Sequence, residues 1–173
     1  MLAVLFRVAG NAYALPCRNV LEVLPRLSLH PAARAPAWLT GTFDYRGALV
    51  PVIDACQLLA GYPCGKRLSS RMAIVRSSTQ AMGVIIAGVL AERMTEVRLL
   101  DGQALIAHAS TSTSYFGSVI KEATELVQLI DVDGLVGMTC GTPQGSRLTP
   151  AGEQFGDLEA SALLVEGKGF DQD

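Results

Sequence analysis

The feature that most constrains the fold is a succession of short β-forming segments, separated by turns and with few stretches of helical length. The first segment is Leu2–Val8, which a turn at residues 9–11 joins to a second apolar segment. Further strands are predicted at residues 48–54, 72–75, 82–90, 97–100 and 126–130. Residues 17–24 suit either a short helix or a strand, since periodicity does not decide between them. Many short strands at close spacing predict an all-β protein built from one barrel or a pair of barrels.

Three local signals refine this prediction. Pro51 lies within a β-branched run and is expected to place that strand at a sheet edge or a bulge. Gly83 and Gly88 suggest a bend or bulge in the strand at residues 82–90. Asp133-Gly134 predicts a turn after the strand at residues 126–130.

The composition changes near residue 141. Residues 141–150 are rich in Gly, Pro, Thr and Ser, which marks a boundary. We therefore expect one domain over residues 1–140, followed by a linker and tail at residues 141–173. Residues 157–166 have an acidic start and spaced apolar side chains, so a short terminal helix is predicted within the tail.

Composition excludes several classes of protein. Half of the 173 residues are apolar and 17% are charged, which excludes a disordered chain. A net charge of −2 argues against electrostatic binding of nucleic acid. The longest apolar or glycine run, residues 81–91, is far shorter than the ~20 residues of a membrane span. Arg7 follows the apolar start instead of preceding it, which argues against a secretory signal. We expect a cytoplasmic protein that does not insert into the membrane.

The cysteines and histidines do not suggest a metal site. Four cysteines are present, Cys17, Cys56, Cys64 and Cys140, and none forms a Cys-x-x-Cys pair. His30 and His108 lie far apart in sequence, whereas zinc sites usually contain closely spaced ligand pairs. In a cytoplasmic protein the four cysteines are expected to be reduced thiols. No metal and no cofactor are predicted.

No catalytic arrangement emerges from the sequence either. The best nucleophile and base pairing is His108 with Ser110 or Ser112, in a Ser/Thr-rich loop with no third orienting group. No Gly-x-Ser-x-Gly elbow occurs, and Gly61–Arg67 only superficially resembles a phosphate loop, since Arg67 replaces the hydroxyl residue. The sequence therefore predicts no enzyme.

One stretch carries a more specific pattern. Residues 38–54, WLTGTFDYRGALVPVID, contain a glycine, an Arg-Gly pair, an apolar run with proline and a closing Ile-Asp. This resembles the signature of CheW-type chemotaxis adaptor domains. Other elements that are similar to the family follow in the expected order: residues 6–15, Val20-Leu21-Glu22-Val23, residues 83–97, Tyr115-Phe116-Gly117 and residues 126–133. The resemblance covers about residues 2–139.

The resemblance implies two SH3-like five-stranded β-barrels packed around a shared core, with short helices and no cofactor. It implies a scaffold that joins the cytoplasmic tip of a methyl-accepting chemoreceptor to the regulatory domain of a CheA-type histidine kinase, clustered with membrane receptors through protein contacts. The positions that match the family's partner-binding residues are Val20, Glu22, Gly41, Arg46 and Val97. We further expect Glu22 and Arg46 to form an ion pair that orients the arginine.

The chain departs from the family pattern in two places. Asp44-Tyr45 stands where Asn-Leu is usual, and Met94 stands where valine is usual. An acidic group and an aromatic ring next to Arg46 favour an alternative, surface-sensing (Wsp-like) chemosensory system over a flagellar one.

The sequence is also compatible with a second class of function. A small β-barrel regulatory module could sense its signal directly, through Cys56 and Cys64 around the turn at Tyr62-Pro63. A reactive thiol needs nearby positive charge, and Lys66 and Arg67 are candidates for that charge.

Overall fold

The structure, a computed structural model, describes residues 1–79, 83–101, 105–108, 115–122 and 125–140. In these residues the strands are β1 (Leu2–Val8), β2 (Asn11–Pro16), β3 (Val20–Pro25), β4 (Leu39–Tyr45), β5 (Ala48–Asp54), β6 (Arg71–Thr79), β7 (Gly83–Leu99), β8 (Leu105–His108), β9 (Phe116–Lys121) and β10 (Leu126–Ile130). The helices are a 3-10 turn at Cys17–Asn19, α1 (Ala55–Ala60) and α2 (Val132–Cys140). The predicted tail and the loop with Ser110 and Ser112 lie outside the described residues. Nowhere in the described ranges is a helix long and apolar enough to cross a membrane.

The first barrel contains β3, β6, β7, β5 and β4, in that order. All neighbouring strands are antiparallel except β5 and β7, which run parallel. The barrel closes where the chain beyond β3 returns to β4. There the His30 amide donates to the Thr42 carbonyl at 2.8 Å, and the Thr42 amide donates to the His30 carbonyl at 2.9 Å.

The second barrel contains β1, β2, β10, β9 and β8, in that order. It is joined to the first barrel by the second half of β7, which pairs with β1. The β1–β7 ladder is antiparallel and runs from Leu2–Leu99 to Arg7–Glu92. β2 and β10 pair in parallel, which brings the end of the domain back to its first hairpin.

The two barrels share strand β7. Residues 83–91 of this strand pair with β6, and residues 92–99 lie along β1. Two separate strands were predicted here, at residues 82–90 and 97–100, and that prediction is wrong. Arg93 and Glu96 are exposed while Met94 is buried, and the strand continues through all three residues. Arg93 adopts a φ of 49° in the middle of the strand, next to the place where pairing changes from β6 to β1.

Gly88 serves close packing and does not mark a bulge. A Cβ atom at this position would lie 3.0 Å from the Met72 sulfur and 3.2 Å from a Val52 methyl carbon. Glycine therefore lets β5, β6 and β7 approach one another.

β1 is buried on both of its faces, because it lies between two apolar cores. Val4, Phe6 and Val8 point into a large core that extends from the first barrel to β10 and α2. Ala3 and Leu5, on the other face of β1, belong to a smaller core. The other buried residues of that core are Ala12, Ala14, Leu100, Ile120 and Val127. This arrangement confirms the prediction of two barrels packed around a shared core.

Two of the local predictions are wrong. β5 pairs with β4 on one side and with β7 on the other, so it is not an edge strand. Proline is tolerated there because the pairing with β7 begins at Val52, just after Pro51.

Asp133-Gly134 lies inside α2 and not in a turn. The Asp131 carboxylate accepts the Asp133 amide at 3.1 Å, and the Asp133 carboxylate accepts the Ser77 hydroxyl at 2.6 Å, so both acidic groups support the start of this helix. The ambiguous stretch after Cys17 divides into the 3-10 turn and β3.

An ion-pair network connects three strands of the second barrel. The Glu125 carboxylate, just before β10, accepts Arg7 of β1 at 2.7 Å and Arg98 of β7 at 3.1 Å. Arg98 also pairs with Glu96 at 2.7 Å. The hydrogen bond from Arg7, with help from Arg98, holds the pKa of Glu125 below its ordinary value of 4.5, although burial acts in the opposite direction.

We predict that Glu125→Gln lowers the free energy of unfolding at neutral pH by about 1 kcal/mol, because two charge-assisted hydrogen bonds weaken. The folded-state pKa is depressed, so this stabilisation is present above the unfolded value near 4.5 and is lost as pH falls through the folded value. Urea unfolding from pH 7 to pH 3 should show the two proteins converging at the acidic end. Glu96→Gln, whose carboxylate is more exposed and pairs with one arginine, should cost less at pH 7. A constant difference across the pH range would contradict the prediction.

Candidate functional site

Arg46 lies in the tight turn between β4 and β5. Arg46 and Gly47 have φ values of 55° and 85°, the left-handed pair typical of a two-residue hairpin turn. The Asp44 carboxylate accepts the Gly47 amide at 2.8 Å and so stabilises this turn. Arg46 thus lies in the turn, and the Asp44 carboxylate bonds to the backbone of that turn.

Glu22, Tyr45 and Arg46 form a group that we call the arginine cluster. Arg46 Nη2 lies 3.7 Å from Glu22 Oε1, and the guanidinium carbon lies 5.1 Å from the centroid of the Tyr45 ring. Burial raises the pKa of Tyr45, and a hydrogen bond to Glu22 raises it further. The predicted ion pair is confirmed. It is largely exposed, at 65% for the Arg46 side chain and 34% for Glu22, so the guanidinium faces solvent.

Val97 belongs to a separate surface, which we call the apolar strip: Leu2, Val97 and Leu99. Val97 and Leu99 are two residues apart on β7, and Leu2 is the register partner of Leu99, so all three side chains share one face. They are 51%, 58% and 73% exposed, respectively. A contiguous exposed apolar surface is typical of a protein-binding site. Leu2 and Leu99 were not predicted as site residues, because only the β1–β7 register places them beside Val97.

Val20 and Gly41 both pack against other parts of the chain. Val20 is half-buried and packs against the large core. Gly41 is buried in β4, and a Cβ atom there would lie 2.5 Å from the His30 carbonyl oxygen. Because His30 and Thr42 close the first barrel, glycine is required at this position for the two segments to meet.

The five predicted residues lie on two parts of the fold. Val20 and Glu22 on β3, Gly41 on β4 and Arg46 in the turn after β4 belong to the first barrel. Val97 lies on β7 and pairs with Val4 of β1. Glu22 and Arg46 lie together, whereas Val97 is on the half of β7 that pairs with β1.

The prediction of four reduced cysteines is wrong for two of them. Cys56 and Cys64 form a disulfide whose Cα atoms are 5.2 Å apart, and Cys17 is free. The side chain of Cys140 lies outside the described residues. The pairing arises because α1 places Cys56 in its first turn, opposite the loop that carries Cys64, and α1 was not predicted.

A small apolar gap lies under α1. It has a volume of about 10 Å³ and is lined by side chains that include Phe6, Ile53 and Tyr115. This is room for one water molecule at most. The candidate site is thus the outer surface and not this gap.

These features define a two-barrel protein whose exposed apolar strip and arginine cluster suit contacts with other proteins. The CheW-like domain model matches residues 2–139. The chain belongs to the CheW-like domain family.

Named relatives agree with this assignment. The chain is 32% identical over 93 residues to Protein FrzA of Myxococcus xanthus, covering 54% of this chain and 55% of the relative. It is 29% identical over 92 residues to Chemotaxis protein CheW of Helicobacter pylori, covering 53% and 52%. The matches thus span about half the length of these curated relatives.

The fold also matches a solved structure. The crystal structure of scaffolding protein TtCheW from Thermoanaerobacter tengcongensis superposes with a TM-score of 0.65 at 23% identity, covering 76% of this chain and 84% of that one. At this level of identity the likeness shows the shared fold.

We predict that Gly41→Ala lowers the free energy of unfolding by about 2–3 kcal/mol, because the new methyl group must displace the His30 carbonyl. Gly137→Ala is the control, since a Cβ atom there meets nothing within 4 Å, and it should be neutral or stabilising by up to about 1 kcal/mol. Chemical unfolding of both variants is the measurement. A fully stable Gly41→Ala protein would show that glycine is not needed for barrel closure.

We predict weak energetic coupling between Arg46 and Glu22. A double-mutant cycle of Arg46→Ala and Glu22→Gln, read by urea unfolding, should give a coupling energy below about 1 kcal/mol, because the pair is exposed. The glutamine keeps a hydrogen-bonding partner for Tyr45. The Arg7–Glu125 pair, at 2.7 Å, is the comparison and should couple more strongly. Coupling above about 2 kcal/mol for Arg46 and Glu22 would contradict the exposed geometry.

Proposed function

We propose that this protein is a non-enzymatic adaptor that couples the cytoplasmic tip of a methyl-accepting chemoreceptor to the regulatory domain of a CheA-type histidine kinase. The observation that carries the proposal is the family match over residues 2–139, which includes both barrels and both candidate surfaces. The names of the relatives, a chemotaxis protein and a scaffolding protein, favour this class over a direct thiol-sensing module. The proposed location is the cytoplasm, where protein contacts hold the adaptor at receptor clusters.

The apolar strip is the proposed main contact for the receptor. An amphipathic helix binds an apolar surface through side chains spaced along one of its faces. Leu2, Val97 and Leu99 offer such a surface at the Leu2–Leu99 end of the β1–β7 ladder. Burying these side chains under a receptor helix supplies a favourable hydrophobic term.

The arginine cluster is the proposed polar contact. Arg46 is held by the hairpin turn and the Tyr45 ring, so less side-chain freedom is lost when it binds. Because the Arg46 guanidinium lies 3.7 Å from Glu22, the N–H donors of Arg46 remain available for a carboxylate or carbonyl on a partner.

The kinase contact is proposed at a barrel edge. β8 pairs only with β9 among the described strands, so one side of its backbone is available to a further strand. Such an edge can pair with a barrel of similar construction. Each contact can be modest in affinity, since many adaptors in one array act together.

We also propose that the adaptor serves an alternative, surface-sensing (Wsp-like) system. The two residues that depart from the family pattern beside Arg46 each have a structural role: Asp44 stabilises the turn, and Tyr45 supports the guanidinium. They therefore change the surface offered to a partner. Met94 is buried and does not contribute to that surface.

The test uses the cytoplasmic tip of a methyl-accepting chemoreceptor and the regulatory domain of a CheA-type kinase from the same organism. Calorimetry should detect binding of the purified protein to the receptor tip and, separately, to the kinase regulatory domain. Absence of binding to both partners would overturn the adaptor proposal.

We predict that Leu99→Ala and Val97→Ala each weaken receptor binding about tenfold, as expected when an anchor of a small interface is truncated. Leu68→Ala is the matched control, because Leu68 is 92% exposed but does not belong to the strip, and its affinity should equal that of the wild type. Arg46→Ala should weaken receptor binding with little change in the melting temperature. Receptor affinity that is unchanged in Leu99→Ala and Val97→Ala would exclude the strip as the contact.

A further inference from the structure

The Cys56–Cys64 disulfide lies beside a carboxylate that connects the same two segments of chain. Asp54 Oδ1 accepts the Gln57 amide at 3.0 Å and so begins helix α1. Asp54 Oδ2 accepts the Cys64 amide at 2.9 Å. Asp54, Cys56 and Cys64 are all buried, and their ligand atoms lie within 4.8 Å of one another. Helix α1 and the loop after it are thus joined both by a sulfur–sulfur bond and by hydrogen bonds.

The loop at residues 61–65 touches both barrels. The Tyr62 hydroxyl accepts the Ala9 amide at 3.1 Å, in the turn between β1 and β2. The Gly65 amide donates to Glu92 at 2.8 Å, next to the point where β7 changes partner. Arg26, beyond β3, donates to the Cys64 carbonyl at 2.7 Å. The loop at residues 61–65 therefore contacts the chain close to the place where the two barrels meet.

The surroundings suit the reduced thiol as well as the disulfide. The Cys64 sulfur lies 3.5 Å from the Leu90 carbonyl oxygen, so a Cys64 thiol has a hydrogen-bond acceptor within reach. Disulfides in cytoplasmic proteins are usually transient or regulatory.

We propose that Cys56 and Cys64 are a reversible redox pair, and that formation of their disulfide rigidifies the loop at residues 61–65 and its contacts with the β1–β2 turn and β7. The partner in the reaction is a low-molecular-weight disulfide of the glutathione type. This role would modulate the protein whatever partner it binds, so it does not depend on the receptor contacts proposed above.

The reaction is two thiol–disulfide exchanges. Because both sulfurs are buried, the loop at residues 61–65 must first move away from α1. Cys64 then attacks one sulfur of the small disulfide as its thiolate, and the other half leaves as a thiolate that takes up a proton. Cys56 then attacks the Cys64 sulfur of the mixed disulfide, forms the Cys56–Cys64 bond and releases the second small thiol. The two protein thiols are oxidised, the small disulfide is reduced to two thiols, and the two protons leave with them.

A metal site is the competing interpretation of the same three residues. Both Asp54 oxygens already accept backbone amides, so a metal would have to displace the start of α1. Without Asp54, the group found among the described residues offers two thiolates, whereas structural zinc has four ligands. The geometry therefore favours the disulfide.

The experiment equilibrates the full chain, with Cys17 and Cys140 replaced by serine, in glutathione buffers that range from fully reduced to fully oxidised. Alkylation and mass spectrometry give the fraction of disulfide. Hydrogen exchange is then measured in the two end states. We expect one reversible two-electron transition, and exchange of the Ala9, Cys64 and Gly65 amides slower by about fivefold or more in the oxidised state.

The control is Cys56→Ala/Cys64→Ala, which should exchange like the reduced protein in every buffer. Three outcomes would overturn the proposal: a pair that stays reduced in fully oxidised glutathione, a pair that stays oxidised in fully reduced glutathione, and equal exchange in the two states. Zinc that remains bound to the dithiol and blocks oxidation would overturn it in favour of the metal.

Discussion

The hydrogen-bonding of β7 is the constraint on which the rest of the structure depends. This strand pairs with β6 and β5 in the first barrel and with β1 in the second. The two barrels are therefore built on one continuous backbone and cannot be separated by a hinge between strands. The change of partner occurs near Glu92 and Arg93, and this is also where the loop that carries Cys64 makes its contact. The position of the apolar strip relative to the first barrel follows from the same strand, since Val97 and Leu99 are its last exposed apolar residues.

Much of the fold could be predicted from the sequence. The apolar segments of β1, β5, β6 and β10 are short and bounded by turn residues, and the ordered motif from Trp38 to Asp54 identifies the family. The continuity of β7 could not be predicted, because exposed charges within a continuous strand look the same in the sequence as charges that mark the end of a strand. The pairing of β5 on both sides was missed for a similar reason: the effect of a proline depends on where the neighbouring ladder begins, which is a property of the register.

The candidate site shows the same division between local and long-range information. The Glu22–Arg46 pair could be predicted because each charge lies in a distinctive local pattern. Leu2 and Leu99 could not be identified, since their exposure depends on a pairing between residues almost a hundred positions apart. Gly41 matched a family position, but its proximity to the His30 carbonyl shows a steric reason for glycine that is independent of any partner. The disulfide escaped prediction because it requires a helix of only six residues, α1, too short to give a periodic signal.

The order of the strands has a consequence for how the chain is made. The strands of the first barrel are consecutive, from β3 to the first half of β7, whereas those of the second lie on both sides of them, β1 and β2 before and β8 to β10 after. On the ribosome the first barrel has all its strands once Ala91 has emerged. The β1–β2 hairpin, synthesised first, must wait for Leu126–Ile130 before its parallel partner exists. Until then the inward face of Ala12 and Ala14 has no β10 to cover it, so this part of the hairpin is among the last surfaces of the domain to be buried.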